Sequence, residues 1–205
     1  MKLQSLTACM LSLSLFSLVS CSKSDDDKVV PADVPPVVTP VVTPVEVKTV
    51  TNLDADAANK GSFTLYSLAD GKIIPNSDSA TTKWDIGFKA TTIIINGGSS
   101  GPGKAEAQVL STVFKDLAKA PDAGYATDAA AKKAISGWYS YNMTTHVISP
   151  VTGAVIVLKT AAGKYAKIEI TSYYKDAPAS PDENSLSRYY NFRFAYQPDG
   201  SAKLN

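Results

Sequence analysis

The sequence predicts an all-β domain of mainly antiparallel sheets with one short helix, and three observations favour this fold class. Segments rich in β-branched and aromatic residues recur along the chain, separated by Gly, Pro, Asn and Asp. Residues 164–172 alternate between polar and apolar types, which is typical of a strand that buries one face. Helical signals are sparse, and the best covers 127–135, where Asp128 or the preceding threonine would cap a helix that ends at Gly137.

The composition is that of one globular domain with appendages. The chain has 205 residues, of which 44% are hydrophobic, and a formal net charge of +1. This near-neutral charge argues against nucleic acid as a partner, because phosphate binding requires a basic electrostatic field. We place the folded domain at residues 48–205.

Residues 1–20 have the pattern of an export signal. Lys2 precedes an apolar run, residues 6–19, that is too short to span a bilayer comfortably. The segment ends immediately before Cys21 and resembles a bacterial lipoprotein cleavage site, so Cys21 is predicted to be the lipidated first residue of the mature protein. The other cysteine, Cys9, lies in the segment that would be removed, so the mature domain is expected to contain no disulfide.

Residues 21–47 are predicted to form a tether between the lipid and the domain. Its acidic cluster, Asp25–Asp27, resembles the signals that send lipoproteins to the outer surface of some diderm bacteria. Residues 29–47 are almost wholly Val, Pro and Thr, and this proline density favours an extended polyproline II stalk. We therefore expect a domain outside the outer membrane that contacts the bilayer only through its lipid anchor.

The first part of the domain is predicted to hold a hairpin and a long strand. Residues 63–68 and 72–75 flank an Asp-Gly dipeptide, which favours a tight hairpin turn. Residues 84–95 first alternate and then become continuously apolar, as expected of one long strand that is covered on both faces toward its end. Asp85, at an alternating position, is expected to face solvent.

A glycine-rich segment, residues 97–104, partly matches the phosphate-binding loop of nucleotide-binding proteins. The spacing from Gly98 to Lys104 fits, but Ala105 stands where that loop needs Ser or Thr to bind magnesium. The loop also requires a strand–helix context, for which few helical segments are available. We interpret the segment as a flexible connection, followed by a strand and turn within 105–117.

The stretch 137–174 is predicted to organise the domain. An aromatic strand opens it, a short polar connection follows, and strands at 154–160 and 164–172 complete it. The connection holds Met143 and His146, the one methionine and the one histidine of the mature domain. Binding groups are commonly displayed on loops that a rigid scaffold positions, so this connection is a candidate binding site.

A closing strand at 188–196 is predicted to supply aromatic side chains to the core. Its aromatic residues recur at every second position, so they share one face of the strand. These residues are Tyr190, Phe192, Phe194 and Tyr196.

The order and spacing of four motifs are similar to those of the HmuY family of haem-binding surface lipoproteins. The motifs are Trp84–Phe88, the glycine-rich segment 97–103, Gly137–Tyr141 and Gly163–Ile170. The similarity covers residues 48–198 and includes the leader. It implies an outer-membrane haemophore that captures haem and delivers it to a TonB-dependent receptor, with host haem proteins as further candidate partners. The resemblance implies a binding protein and no enzyme.

The resemblance also implies where the haem iron would be held. One family ligand follows the strand tryptophan by five residues, which is Met143 counted from Trp138. The second family ligand lies upstream, where residues 105–137 contain no His and no Met. Chemistry alone adds His146 and, less favourably, Tyr125. Axial donors approach iron from opposite faces of a wide ring, so Met143 and His146 are expected not to share one iron.

Three alternatives remain open at this stage. Met143 could fill a gap in the core and His146 could be an ordinary surface residue. The domain could instead bind a glycan, a peptide or a protein through its many tyrosines. An enzyme is disfavoured, because a single histidine offers little for acid–base chemistry and no paired-carboxylate spacing stands out.

Overall fold

The computed structural model describes residues 44–205, which form eleven strands and two 3₁₀ turns. The strands are β1 (Val47–Asp54), β2 (Thr64–Ser67), β3 (Lys72–Ile74), β4 (Ile86–Lys89), β5 (Thr92–Ile95), β6 (Glu106–Ser111), β7 (Tyr139–Asn142), β8 (Val147–Pro150), β9 (Ala154–Lys159), β10 (Tyr165–Tyr174) and β11 (Ser187–Gln197). The predicted leader, the lipidation site Cys21 and the tether through residue 43 lie outside the described residues. Within residues 44–205, no helix is long and apolar enough to cross a membrane.

The strands form three antiparallel sheets, which confirms the predicted fold class. The large sheet has the order β1-β11-β10-β9-β6, and the small sheet has the order β3-β2-β4-β5. Strands β7 and β8 form a separate two-stranded hairpin. The predicted hairpin around Asp70-Gly71 is confirmed as β2 and β3, with Gly71 in the left-handed conformation at φ 64°.

The main core contains aromatic and aliphatic side chains from both larger sheets. Phe192 of β11 packs against Tyr66 of β2 and Phe88 of β4, with ring centroids 5.8 and 5.5 Å apart. Each such ring stabilises the fold by about 1.5–3 kcal/mol through removal of apolar surface from water. The predicted aromatic face of the closing strand is confirmed, since Tyr190, Phe192 and Phe194 are fully buried and the partly buried Tyr196 packs against the same cluster.

The helix predicted at 127–135 is wrong, because this segment is an irregular loop. Asp128 is buried, and its carboxylate accepts hydrogen bonds from the backbone N–H of Ile95 at 3.0 Å and of Ala134 at 2.8 Å. The backbone carbonyl of Asp128 accepts a further bond from Ser99 at 2.7 Å. The carboxylate that would have capped a helix instead joins this loop to β5, and these tertiary bonds override the local propensity.

The single strand predicted at 84–95 is also wrong, because the chain turns back at Ala90. Ala90 has a φ of 46°, and the turn connects β4 to β5 as an antiparallel hairpin. Two aromatic side chains from other parts of the chain donate hydrogen bonds to carbonyl groups of this turn. The hydroxyl of Tyr190 donates to the Ala90 carbonyl at 2.9 Å, and the indole of Trp138 donates to the Thr91 carbonyl at 3.2 Å.

Asp85 is buried, so the expectation that it faces solvent is wrong. Its side chain accepts a hydrogen bond from the Leu68 N–H at 2.8 Å. Burial raises the pKa of this carboxyl to about 6, because the charged form loses hydration in the protein interior. Asp85 therefore ties the end of β2 to the start of β4.

The glycine-rich segment is tightly packed, so its interpretation as a flexible connection is not supported. A Cβ added at Gly97 would overlap the Ala105 carbonyl, and one at Gly98 would overlap the Asp128 carbonyl. Gly98 also has a φ of 61°, which L side chains rarely adopt. Glycine is therefore needed here for close approach of neighbouring backbone segments.

Candidate functional site

The candidate site is the turn of the β7–β8 hairpin, residues 143–146. Asn142 of β7 pairs with Val147 of β8, so Met143 and His146 begin and end the turn. The side-chain carbonyl of Asn142 accepts hydrogen bonds from the backbone N–H of Thr144 at 2.9 Å and of Thr145 at 3.1 Å. These bonds satisfy two turn donors and hold the backbone between Met143 and His146.

The base of the hairpin is fixed to the main core. Trp138 is 2% exposed and precedes β7, and Val147 at the start of β8 is also buried. The Tyr174 hydroxyl accepts a hydrogen bond from the Ile148 N–H at 2.8 Å, which ties β8 to the end of β10. The turn is therefore presented from a base that packing and hydrogen bonding hold in place.

Met143 is the most exposed large apolar residue of the described chain, with 81% of its surface accessible. It belongs to none of the hydrophobic clusters of the described residues. The alternative that Met143 fills a gap in the core is therefore wrong. Its thioether is available to a ligand at the outermost point of the hairpin.

His146 is exposed and is held by the neighbouring strand. Its Nδ1 lies 2.6 Å from the Tyr141 hydroxyl, and the two ring centroids are 6.1 Å apart. His146 has a φ of 55°, the left-handed conformation that suits the last residue of this turn. Sequence reasoning did not find the Tyr141 contact, because it depends on the register of the hairpin.

A cleft of about 600 Å³ lies between one face of the hairpin and the loop 181–184. Its lining is mostly polar: Asn142, Thr144, Thr145, Val147, Ser149, Pro181, Asp182, Glu183 and Asn184. The pKa of Asp182 is lowered by its hydrogen bond from the Ser185 hydroxyl, which favours the charged carboxylate. This lining carries two carboxylates and no basic side chain.

Tyr125 lies far from the hairpin turn. Its ring is 6.5 Å from that of Tyr165 at the start of β10, whereas the hairpin is bonded to Tyr174 at the end of β10. The two ends of a ten-residue strand are about 30 Å apart at ~3.3 Å per residue. Burial also raises the pKa of Tyr125 to about 12, so its phenolate is hard to form. The structure therefore does not bring Tyr125 together with Met143.

The donors available to a metal are few in the described residues. No group of three or more His, Cys, Asp or Glu side chains is arranged to hold an ion between residues 44 and 205. Met143 and His146 are the only methionine and histidine in this range. The described residues therefore form an all-β domain that carries a thioether and an imidazole on one exposed turn.

Comparison with known proteins supports the family resemblance. The sequence model described as HmuY protein matches residues 59–155, a range that includes Met143 and His146. This match covers just under half of the chain and confirms its resemblance to an HmuY-like family. A search of curated proteins finds no match.

Two solved structures from Bacteroides have a similar fold. A candidate HmuY-like heme-binding protein from Bacteroides vulgatus is 16% identical, with a TM-score of 0.51 over 73% of this chain and 91% of that one. A candidate lipoprotein from Bacteroides fragilis is 17% identical, with a TM-score of 0.51 over 74% of this chain and 91% of that one. At this identity the likeness shows the fold alone.

Proposed function

We propose that this protein is a haem-binding surface lipoprotein that captures haem through Met143 and passes it to a TonB-dependent receptor. The observation that carries the proposal is the exposure of Met143, 81%, at the end of a hairpin inside the family-matched range. A thioether is an established type of axial ligand to haem iron and raises the iron reduction potential. Met143 is thus available without any rearrangement of the core.

A single axial ligand from this chain fits the arrangement of donors. Met143 and His146 lie three residues apart on one turn, so they would have to straddle the porphyrin to bind opposite faces of the same iron. Tyr125 lies near the other end of β10 and is excluded by distance. We infer that the opposite iron position takes water or a donor from another molecule, which would leave the haem accessible for transfer.

The acidic cleft does not fit the propionate groups of haem. Asp182 and Glu183 line it, and carboxylates close to the negatively charged propionates would repel them. We therefore propose the Met143 end of the hairpin, and not the interior of this cleft, as the haem contact. His146 is a lesser candidate ligand at the same end.

A haem titration in both oxidation states tests the proposal. Soft sulfur favours the lower oxidation state, so ferrous haem is expected to bind more tightly than ferric haem. Met143→Ala is expected to weaken ferrous binding strongly, and His146→Ala is the matched control with little effect. Tighter ferric binding that is abolished by His146→Ala would move the assignment to His146. A missing Soret change in both states would refute haem capture by this chain.

A different observation favours a second function. The cleft beside the hairpin presents amide and hydroxyl groups from Asn142, Thr144 and Ser149, which could hydrogen-bond a glycan, a peptide or a protein. This alternative predicts that Thr144→Val weakens binding of the glycan, peptide or protein. It also predicts that added haem does not change that binding. Haem binding by a chain that binds none of the glycans or peptides tested would favour the haem proposal.

Export and lipid anchoring are proposed from the sequence pattern of residues 1–20 and Cys21 alone. Cys21→Ala is expected to leave a chain that is not processed or not anchored. The check is fatty-acid labelling with membrane fractionation. Labelling and fractionation like those of the wild type would contradict the proposed anchor, and protease treatment of whole cells tests surface exposure separately.

A further inference from the structure

The turn at residues 143–146 carries a thioether at one end and an imidazole at the other. Asn142 and Val147 are the last paired residues of the hairpin, so Met143 and His146 lie at the two ends of the turn. The ends of a four-residue turn have Cα atoms less than about 7 Å apart. The methionine side chain rotates about three bonds, so its sulfur can adapt to a donor at this separation.

Tyr141 orients the histidine in the way that a metal ligand requires. In the tautomer with the proton on Nδ1, His146 donates to the Tyr141 oxygen at 2.6 Å, and Nε2 carries the free lone pair. Metal-binding histidines commonly donate their other ring N–H to such a partner, which fixes the tautomer and the ring. Within residues 44–205 neither Nε2 of His146 nor the Met143 sulfur has another hydrogen-bond partner.

We propose that Met143 and His146 form a surface site for the soft monovalent ion Cu(I). Thioether ligands select Cu(I), and imidazole also suits copper. Donors lie only about 2.0–2.3 Å from a small metal ion, as in zinc sites, so two donors on one turn can bind it together. Haem iron is different, because its axial donors must lie on opposite faces of the porphyrin.

The donor set also sets the expected selectivity. Zn²⁺ takes thiolate, imidazole and carboxylate ligands, usually four of them, and a thioether is not among these. The described residues offer no group of three or more His, Cys, Asp or Glu that could complete a zinc site. Zn²⁺ is therefore the matched control ion.

The proposed Cu(I) site is distinct from haem binding, and a variant of His146 distinguishes the two. Haem capture by Met143 needs no imidazole, whereas the Cu(I) site needs both donors. His146→Ala is thus expected to lower Cu(I) affinity by a much larger factor than ferrous haem affinity, for which Met143 is the proposed ligand. Met143→Leu, which keeps the side-chain volume but removes the sulfur, is expected to weaken both.

The test is anaerobic Cu(I) competition against a chromogenic chelator. The full chain carries Cys9→Ser and Cys21→Ser, because thiolates would otherwise bind Cu(I). We expect one Cu(I) per chain in this background. His146→Ala and Met143→Leu are each expected to lower the affinity at least tenfold. The methyl resonance of Met143, assigned by difference with Met143→Leu, should move with Cu(I) and stay in place with Zn²⁺.

Tyr141→Phe tests the positioning role of the tyrosine. We expect about a tenfold loss of Cu(I) affinity, the lower end for removing a group that orients a ligand. Because His146 is the only histidine, ¹⁵N NMR should report its tautomer directly, and the Nδ1–H form should decrease in this variant. Equal Cu(I) affinity in His146→Ala and the parent, or a Met143 methyl signal that Cu(I) does not move, would overturn the proposal. Failure of haem binding with intact Cu(I) binding would refute the proposed function alone.

Discussion

Trp138 and Met143 lie five residues apart and occupy opposite environments, one 2% exposed and the other 81% exposed. Trp138 contacts three other aromatic rings and bonds to the turn between β4 and β5. Met143 is outside the main core cluster and lies in the turn of the same hairpin. The base of this hairpin therefore attaches it to the core. Its turn, in contrast, exposes side chains that could bind a ligand.

The largest effect is expected at the base. Trp138→Ala should lower the free energy of unfolding by about 3–5 kcal/mol, the usual cost of removing a buried tryptophan. Ile73→Ala, on the exposed side of β3, is the control and should cost well under that amount, since Ile73 is 56% exposed. Urea denaturation with an unchanged m-value measures both. A loss below about 1 kcal/mol for Trp138→Ala would show that the base of the hairpin does not depend on this side chain.

Two glycines allow a closely packed position to be compared with an open one. Gly98 and Gly137 both have positive φ, 61° and 74°, but only Gly98 meets neighbouring backbone where a Cβ would stand. Gly137→Ala should cost about 1–2 kcal/mol from its left-handed backbone. Gly98→Ala should add an overpacking cost of about 1–3 kcal/mol, giving about 2–5 kcal/mol in total. Equal losses of unfolding free energy in the two variants would show that the backbone around Gly98 can move to accommodate a Cβ.

A pH effect is expected from the buried carboxyl of Asp85. Burial raises its pKa from 3.8 to about 6, so the folded state holds a proton that the unfolded state has already lost in this range. Stability should therefore fall as pH rises from about 4 to 6, by up to roughly 3 kcal/mol. Asp85→Asn should flatten that part of the profile. An unchanged profile in Asp85→Asn would assign the pH dependence to other groups.

Local signals in the sequence predicted much of the fold. The Asp70-Gly71 turn and the alternating aromatic residues of the closing strand depend on neighbours in sequence, and both are confirmed. The helix at 127–135 and the long strand at 84–95 are wrong because distant groups decide them. Asp128 bonds to β5, and Tyr190 bonds to the turn at Ala90.

The candidate site could be predicted only in part. Its donors, Met143 and His146, were found because each is unique in the domain. The contact between Tyr141 and His146 and the cleft beside the loop 181–184 depend on strand register and on tertiary packing. No pattern in one sequence specifies either. The leader and the lipidation of Cys21 remain predictions.

The most direct test is to measure stability and ferrous haem affinity together in Met143→Ala. We expect unfolding free energy within about 0.5 kcal/mol of the wild type, because the side chain is exposed and lies outside the main core cluster. We expect ferrous haem affinity to fall about a hundredfold or more, which corresponds to several kcal/mol for loss of the one protein ligand. A variant that unfolds more easily and binds ferrous haem as the wild type does would contradict the account, because Met143 would then support the fold and not the ligand.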